Sequence, residues 1–147
     1  MKKLFLLFLI VLLPMASMAD VGGKCGSNLT WTYTEATKTL SVEGSGTMNN
    51  YGHNYEIPWY SFHSEIEEII IGPNVTSIGK YAFSYMPNVV YVYISETVMT
   101  INGLAFYGSS GFTSVIILNS VKSIGYSAFC GCSGLTSVVI PNSVTIM

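Results

Sequence analysis

The sequence contains no arginine, and only 10% of its 147 residues are charged, against about 25% in an average globular protein. A nucleic-acid partner requires a basic face for the phosphates, and six scattered lysines cannot form one. Binding to an anionic membrane surface through a polybasic patch is excluded for the same reason. Half of the residues are apolar, which excludes a disordered tail.

Long apolar runs are also absent, apart from one at the N-terminus. Lys2 and Lys3 precede an apolar stretch over residues 4–13, and a small-residue cleavage pattern follows at residues 17–19. The stretch is about half of the ~20 residues that a spanning helix needs, so a secretory signal peptide over residues 1–19 is favoured over a membrane anchor. The mature chain, from Asp20, carries four lysines and eight acidic residues, a net charge of −4, and no membrane insertion is expected after cleavage.

Cysteine is scarce, with only Cys25, Cys130 and Cys132 present. An odd, low count in an exported chain does not make a disulfide framework. Cys130 and Cys132 would make half of a zinc site, but zinc takes four ligands, and both histidines, His53 and His63, come much earlier. We therefore predict three free thiols, no metal site and no cofactor.

A repeat of 23 residues organises the chain from residue 66 onward, and it is the strongest signal in the sequence. Each unit predicts a strand, a bend, a second short extended piece, and one helical or 3₁₀ turn at a Tyr-x-Ala-Phe pattern. The repeated positions hold the same residue type in three or four copies: Ile71, Ile94, Ile117 and Ile140; Val75, Val98, Val121 and Val144; Ile78, Ile101 and Ile124; Ala82, Ala105 and Ala128; Phe83, Phe106 and Phe129.

Such short units cannot fold alone, because burying seven side chains does not offset the entropy lost by 23 ordered backbones. Stacked units predict a β-rich repeat solenoid with a parallel sheet along one face. Upstream, alternating apolar residues over 29–42 predict a β-hairpin whose apolar side covers the first coil. Residues 20–65 are thus an N-terminal cap with a degenerate half-coil at 58–62, and residues 66–147 are three full coils and a truncated fourth.

The run of residues 128–145, AFCGCSGLTSVVIPNSVT, resembles the BspA-type leucine-rich repeat of bacterial surface proteins. Residues 25–31, 44–48 and 58–61 are similar to the N-terminal cap often found on such proteins. The resemblance implies a right-handed solenoid that is secreted or lies on the bacterial cell surface. It also implies a role in adhesion or protein binding and no catalytic residues. The chain departs from the family by stopping at Met147 and by carrying large apolar residues at outward strand positions.

Those outward positions form the candidate site. If the first, fourth and sixth residues of each unit point inward, the third and fifth line the exposed sheet face, with tyrosines among apolar side chains. Exposed apolar patches mark interaction sites, although β-propensity alone also favours such residues in strands. The predicted ligand-binding residues are Glu68, Ile70, Tyr91, Tyr93, Ser114, Ile116 and Val139.

No catalytic arrangement is indicated, since His53, His63 and the glutamates at 65, 67 and 68 form no connected motif. We expect an exported, non-catalytic binding module whose partner is an extracellular protein or glycan. The alternative is a structural fragment of a longer surface protein with no ligand of its own. Because the fourth coil is truncated, its uncovered end is expected to permit self-association.

Overall fold

The computed structural model describes residues 20–147 and consists of strands and turns, so the predicted signal peptide lies outside the described residues. The strands are short, as expected for a coil that reverses direction several times in 23 residues. In chain order they are β1 (Val21–Lys24), β2 (Leu29–Thr34), β3 (Thr39–Gly44), β4 (Gly46–Thr47), β5 (Glu68–Ile71), β6 (Val75–Ile78), β7 (Tyr91–Ile94), β8 (Thr100–Ile101), β9 (Ser114–Ile116), β10 (Ser123–Ile124) and β11 (Ser137–Val139).

The coils stack as the repeat predicts. The first strand of each repeat contributes to a main sheet, in the order β1-β2-β3-β5-β7, with β9 and β11 pairing separately. The second strand of each repeat contributes to a second sheet, in the order β4-β6-β8-β10. Pairing is parallel between successive repeats, as in Ile69 with Val92, so equivalent residues lie side by side. The predicted β-rich repeat solenoid is confirmed.

The hairpin of the cap joins the sheet edge. β2 and β3 are antiparallel, with Leu29 opposite Gly44, and β3 then pairs in parallel with β5. A strand that the sequence did not indicate, β1, extends this hairpin on its other side. The apolar side chains Trp31, Tyr33 and Leu40 are buried, so the hairpin covers the first repeat by adding strands to the sheet.

The prediction of a degenerate half-coil at 58–62 is wrong, because the cap provides a complete coil. β3 and β4 pair with β5 and β6 at an offset of 29 residues, whereas Trp59 bonds to Ala82 at an offset of 23. The difference of six residues lies between Tyr51 and Pro58, where the 3₁₀ turn Asn54–Glu56 occurs. Inserted residues in this loop hid the extra coil from a search for a fixed period.

The predicted helical or 3₁₀ turn in each repeat is also wrong. Tyr81, Leu104 and Ser127 have φ angles of 60°, 59° and 52°, and a left-handed residue ends a helical run. The N–H that follows two residues later donates to the next coil instead, as in the bond from Phe83 N to Ala105 O at 2.8 Å. These segments are therefore successive turns bonded between coils, and a 3₁₀ turn occurs in the cap at Tyr60–Phe62.

A row of aromatic rings runs through the core along the stacking direction. Trp59 lies 5.5 Å from Phe83, Phe83 lies 5.5 Å from Phe106, and Phe106 lies 5.2 Å from Phe129 between ring centroids. The Trp59 indole also donates a hydrogen bond to the carbonyl of Ala82 at 3.0 Å. Because each ring packs against the ring of the next coil, the spacing of the whole stack is maintained by contacts within the core.

Candidate binding surface

The exposed face of the main sheet carries the residues that the sequence selects. Side chains alternate along each strand, and Tyr91 and Tyr93 are 53% and 47% exposed while Val92 between them is buried. Ile116 on the neighbouring repeat is exposed in the same way. The predicted assignment of inward and outward strand positions is confirmed for these residues.

A rung of the hydrogen-bond ladder is missing at the centre of this face. The N–H of Glu67 donates to Lys38 O at 2.9 Å, that of Val90 donates to Glu67 O at 2.8 Å, and that of Thr136 donates to Thr113 O at 3.2 Å. In the described structure, the equivalent bond from Thr113 to Val90 is not formed, and β7 and β9 belong to separate sheets. The main sheet is therefore open between the second and third repeats.

This opening forms a groove of about 230 Å³. The second sheet remains paired at the same level, with Ile101 beside Ile124, so the gap is confined to the exposed face. The lining is mostly apolar, and the residues that form it are Val90, Tyr91, Val92, Tyr93, Ile94, Ser114, Ile116 and Leu118.

The groove includes four of the seven predicted site residues, and it excludes the other three. Tyr91, Tyr93, Ser114 and Ile116 lie on its walls. Glu68 and Ile70 are half-buried on the preceding repeat, and Val139 is exposed on the following one. The predicted site is thus one face of the sheet, of which only the centre forms a groove.

Val90 and Leu118 also line the groove, and sequence reasoning missed both. A signal for Val90 was present, because its repeat position holds Glu67 and Thr113 in the adjacent coils. An exposed valine in a column of polar residues marks a surface that is more apolar than the fold requires. Leu118 follows the strand, where the periodic argument gave no orientation.

Few charges lie near the groove. The ion pair between Lys38 and Glu67 is on the cap side of the sheet face, and Glu68 accepts a hydrogen bond from Thr39 at 3.4 Å. No acidic or basic residue lines the groove itself. An occupant would therefore be held by apolar contact and by the two tyrosine hydroxyls.

The remaining chemistry-bearing side chains are dispersed over the described residues. His53 stacks on Tyr55 at 5.0 Å and His63 stacks on Tyr60 at 4.7 Å between ring centroids. Across residues 20–147, no group of three potential ligands is placed to hold a metal ion. These histidines thus pack against neighbouring tyrosines on the surface of the cap.

The three cysteines are free thiols in the structure. Burial raises the pKa of Cys25 to about 12 and that of Cys132 to about 11. The Cys132 thiol donates to the carbonyl of Phe106 at 3.0 Å, while Cys130 is exposed. Two of the three thiols are therefore protonated core side chains at neutral pH.

The repeated coils, the parallel sheets and the apolar sheet face define a leucine-rich-repeat solenoid. The chain belongs to the BspA-type leucine-rich repeat family, because the family model, BspA type leucine rich repeat region, matches residues 55–147 in six copies. No curated protein is similar enough to the chain to count as a match. Within residues 20–147, no helix is long and apolar enough to cross a membrane.

Three solved structures share the fold. A leucine-rich repeat protein from Eubacterium ventriosum is 24% identical with a TM-score of 0.70, covering 87% of this chain and 40% of that chain. The leucine-rich repeat protein of T. pallidum is 16% identical with a TM-score of 0.58, covering 80% and 60%. A leucine-rich cell surface protein from Faecalibacterium prausnitzii is 14% identical with a TM-score of 0.51, covering 84% and 55%. The chain thus spans about half the length of these relatives.

Proposed function

We propose that the protein is an exported, non-catalytic binding module that holds a protein partner against the exposed face of β7 and β9. The observation that carries this proposal is the groove at the missing rung, with Tyr91 and Tyr93 on one wall and Ile116 on the other. An apolar side chain of the partner would occupy the groove, and the tyrosines would cover it.

The composition of the surface favours a protein partner over a glycan at this site. Tyrosine is enriched at protein interfaces, and charged residues are depleted from their centres. The groove has both properties, because it contains two tyrosines and no charged side chain. A sugar would leave many hydroxyl groups facing Val90, Ile116 and Leu118 without hydrogen-bond partners.

Export and surface location are supported by three independent features. The first 19 residues have the order of charge, apolar run and small residues that is typical of a signal peptide. The family is the BspA-type leucine-rich repeat, and one structural relative is described as a cell surface protein. The family match is to a repeat architecture and no enzyme family is indicated, which supports a role without catalysis.

The test is a double substitution, Tyr91→Ser with Tyr93→Thr, measured on a biosensor against a panel of purified extracellular-matrix proteins. We expect the wild type to bind at least one of them and the variant to bind at least tenfold more weakly, since about 1.4 kcal/mol is a factor of ten and a true hot spot contributes more. The melting temperature should change by only a few degrees, because outward side chains leave no cavity.

A matched control is Tyr55→Ser with Tyr60→Thr, which removes two exposed tyrosines from the cap. This control should bind as the wild type does. Equal weakening by both double variants would contradict the proposed site. If no matrix protein binds, the protein-binding proposal fails, and the coils are better explained as a spacer within a longer surface protein.

A further inference from the structure

A second surface, distinct from the sheet face, lies where each coil turns after the second sheet. Five side chains form it, and we name it the turn surface: Lys80, Tyr81, Tyr85, Tyr107 and Tyr126. Tyr85 and Tyr126 are exposed, and the other three are half-buried. None of these residues lines the groove between β7 and β9.

One column of the repeat brings a lysine and a tyrosine together across a glycine. Lys80, Gly103 and Tyr126 are equivalent positions in three successive coils. A Cβ at Gly103 would lie 2.7 Å from Cε1 of Tyr126, so the ring occupies the space left by the missing side chain. The Lys80 ammonium is 5.8 Å from the centroid of that ring and 5.5 Å from that of Tyr81. The lysine is therefore held between two aromatic rings.

A second glycine receives the other exposed ring. A Cβ at Gly108 would lie 2.9 Å from Cδ1 and Cε1 of Tyr85, and Tyr85 packs edge-on against Tyr107 at 5.4 Å. Tyr85 has a φ of 54° at a position where the next two coils have Gly108 and Gly131. The left-handed conformation is unfavourable for a bulky residue, so the strain is retained at the one coil where a ring is presented.

The charge on Lys80 is not matched by a carboxylate. Among the described residues, the single salt bridge joins Lys38 to Glu67, far from this surface. Hydrogen bonding to Tyr126 raises the pKa of Lys80, which keeps the ammonium charged. Its backbone is fixed from the cap, because its N–H donates to Asn50 Oδ1 at 2.7 Å and its carbonyl accepts from Tyr51 at 3.1 Å. The turn surface thus presents a positioned cation in a protein whose net charge is negative.

We propose that the turn surface binds an oligosaccharide that carries carboxylate groups, such as a chain of uronic acids. The electron-rich faces of Tyr85 and Tyr126 would contact the C–H faces of the sugar rings. Lys80 would bind the carboxylate through a charge-assisted hydrogen bond, and the phenol hydroxyls would bond to sugar hydroxyls. From Lys80 to Tyr126 the surface spans two coil spacings of ~4.8 Å each, which accommodates a disaccharide unit.

The experiment is calorimetric titration of the purified protein with hexamers of galacturonate, mannuronate and hyaluronan. We expect saturable binding of at least one hexamer, and at least tenfold weaker binding for Lys80→Gln and for Tyr126→Ser. The methyl ester of the hexamer that binds should bind at least tenfold more weakly, because it lacks the charge. Lys122→Gln, which removes a lysine elsewhere on the surface, is the matched control and should bind normally.

Tyr85→Gly separates binding from folding. Glycine relieves the left-handed strain at this position, so the variant should be at least as stable as the wild type and should still bind the hexamer at least threefold more weakly. Tyr91→Ser with Tyr93→Thr should leave sugar binding unchanged, which keeps this inference independent of the proposed protein site. Failure of all three hexamers, equal binding of the methyl ester, or unchanged binding by Lys80→Gln would overturn the proposal.

Discussion

The coil next to the cap and the last coil use the same residue at the same inward position, and its burial differs. Ile71 is fully buried, whereas Ile140 is 44% exposed. β3 lies beside Ile71 on one side and β7 on the other, while β11 pairs with β9 alone among the described strands. An inward position in a solenoid is therefore buried by its neighbours more than by its own coil.

The cap shows what is needed to complete an end. Trp59 packs edge-on against Trp31 at 5.8 Å and against Tyr51 at 6.1 Å, and it stacks on Phe83 at 5.5 Å. These bulky rings fill the volume that a further repeat would occupy. In the last coil, Phe129 packs against Phe106 on one side and is only half-buried.

The strongest test of this difference is a matched pair of truncations, Ile71→Ala and Ile140→Ala. The first removes a fully buried side chain and should lower the free energy of unfolding by about 2 to 5 kcal/mol. The second should cost about 1 kcal/mol or less, since nearly half of the side chain is already in water. Urea unfolding of both variants measures the difference, and similar losses would show that the last coil is as well packed as the first.

Alkaline pH should destabilise the cap through Cys25. The pKa of this thiol is raised by burial from 9.0 to about 12, so the unfolded chain ionises before the folded one does. The stabilisation is complete below pH 9 and is lost as the pH rises from 9 to about 12. Melting temperatures between pH 7 and 11 should therefore fall less steeply for Cys25→Ala than for the wild type. The exposed-thiol variant Cys130→Ala should follow the wild type, and a common slope for all three would argue against this cause.

The missing rung should be detectable by hydrogen exchange. The amide of Val90 donates to Glu67 O, whereas no such bond to Val90 O protects Thr113 in the described structure. We expect the Thr113 amide to exchange at least about tenfold faster than the Val90 amide at neutral pH. Equal protection would mean that the main sheet closes in solution and that the groove is not a persistent feature.

Self-association through the last coil should be the weakest effect. Ile140, Ile146 and Met147 are exposed together with the edge of β11, and exposed apolar surface at a strand edge favours pairing with another copy. Sedimentation of residues 20–147 at high concentration should show reversible association. Ile140→Ser with Ile146→Ser should reduce it, and a monomer at every concentration would contradict this prediction.

Much of the fold follows from local patterns that a single sequence displays. The 23-residue period predicts the stacking, and the alternation around Tyr91, Val92 and Tyr93 predicts which side chains face outward. Both depend on residues within one coil and on the constant spacing between coils. The expected 3₁₀ turns failed because the left-handed angles at Tyr81 and its equivalents arise from hydrogen bonds to the next coil.

By itself, the sequence determined the repeat architecture, the hairpin before it and the exposed face that carries Tyr91 and Tyr93. Only the tertiary structure decided that the cap is a complete coil, that β7 and β9 separate, and that Tyr126 lies over Gly103 beside Lys80. The physical reason is that each of these features is a relation between two coils. A periodic pattern specifies that coils stack, whereas the fit of particular side chains and hydrogen bonds determines where the stack opens and what its surface brings together.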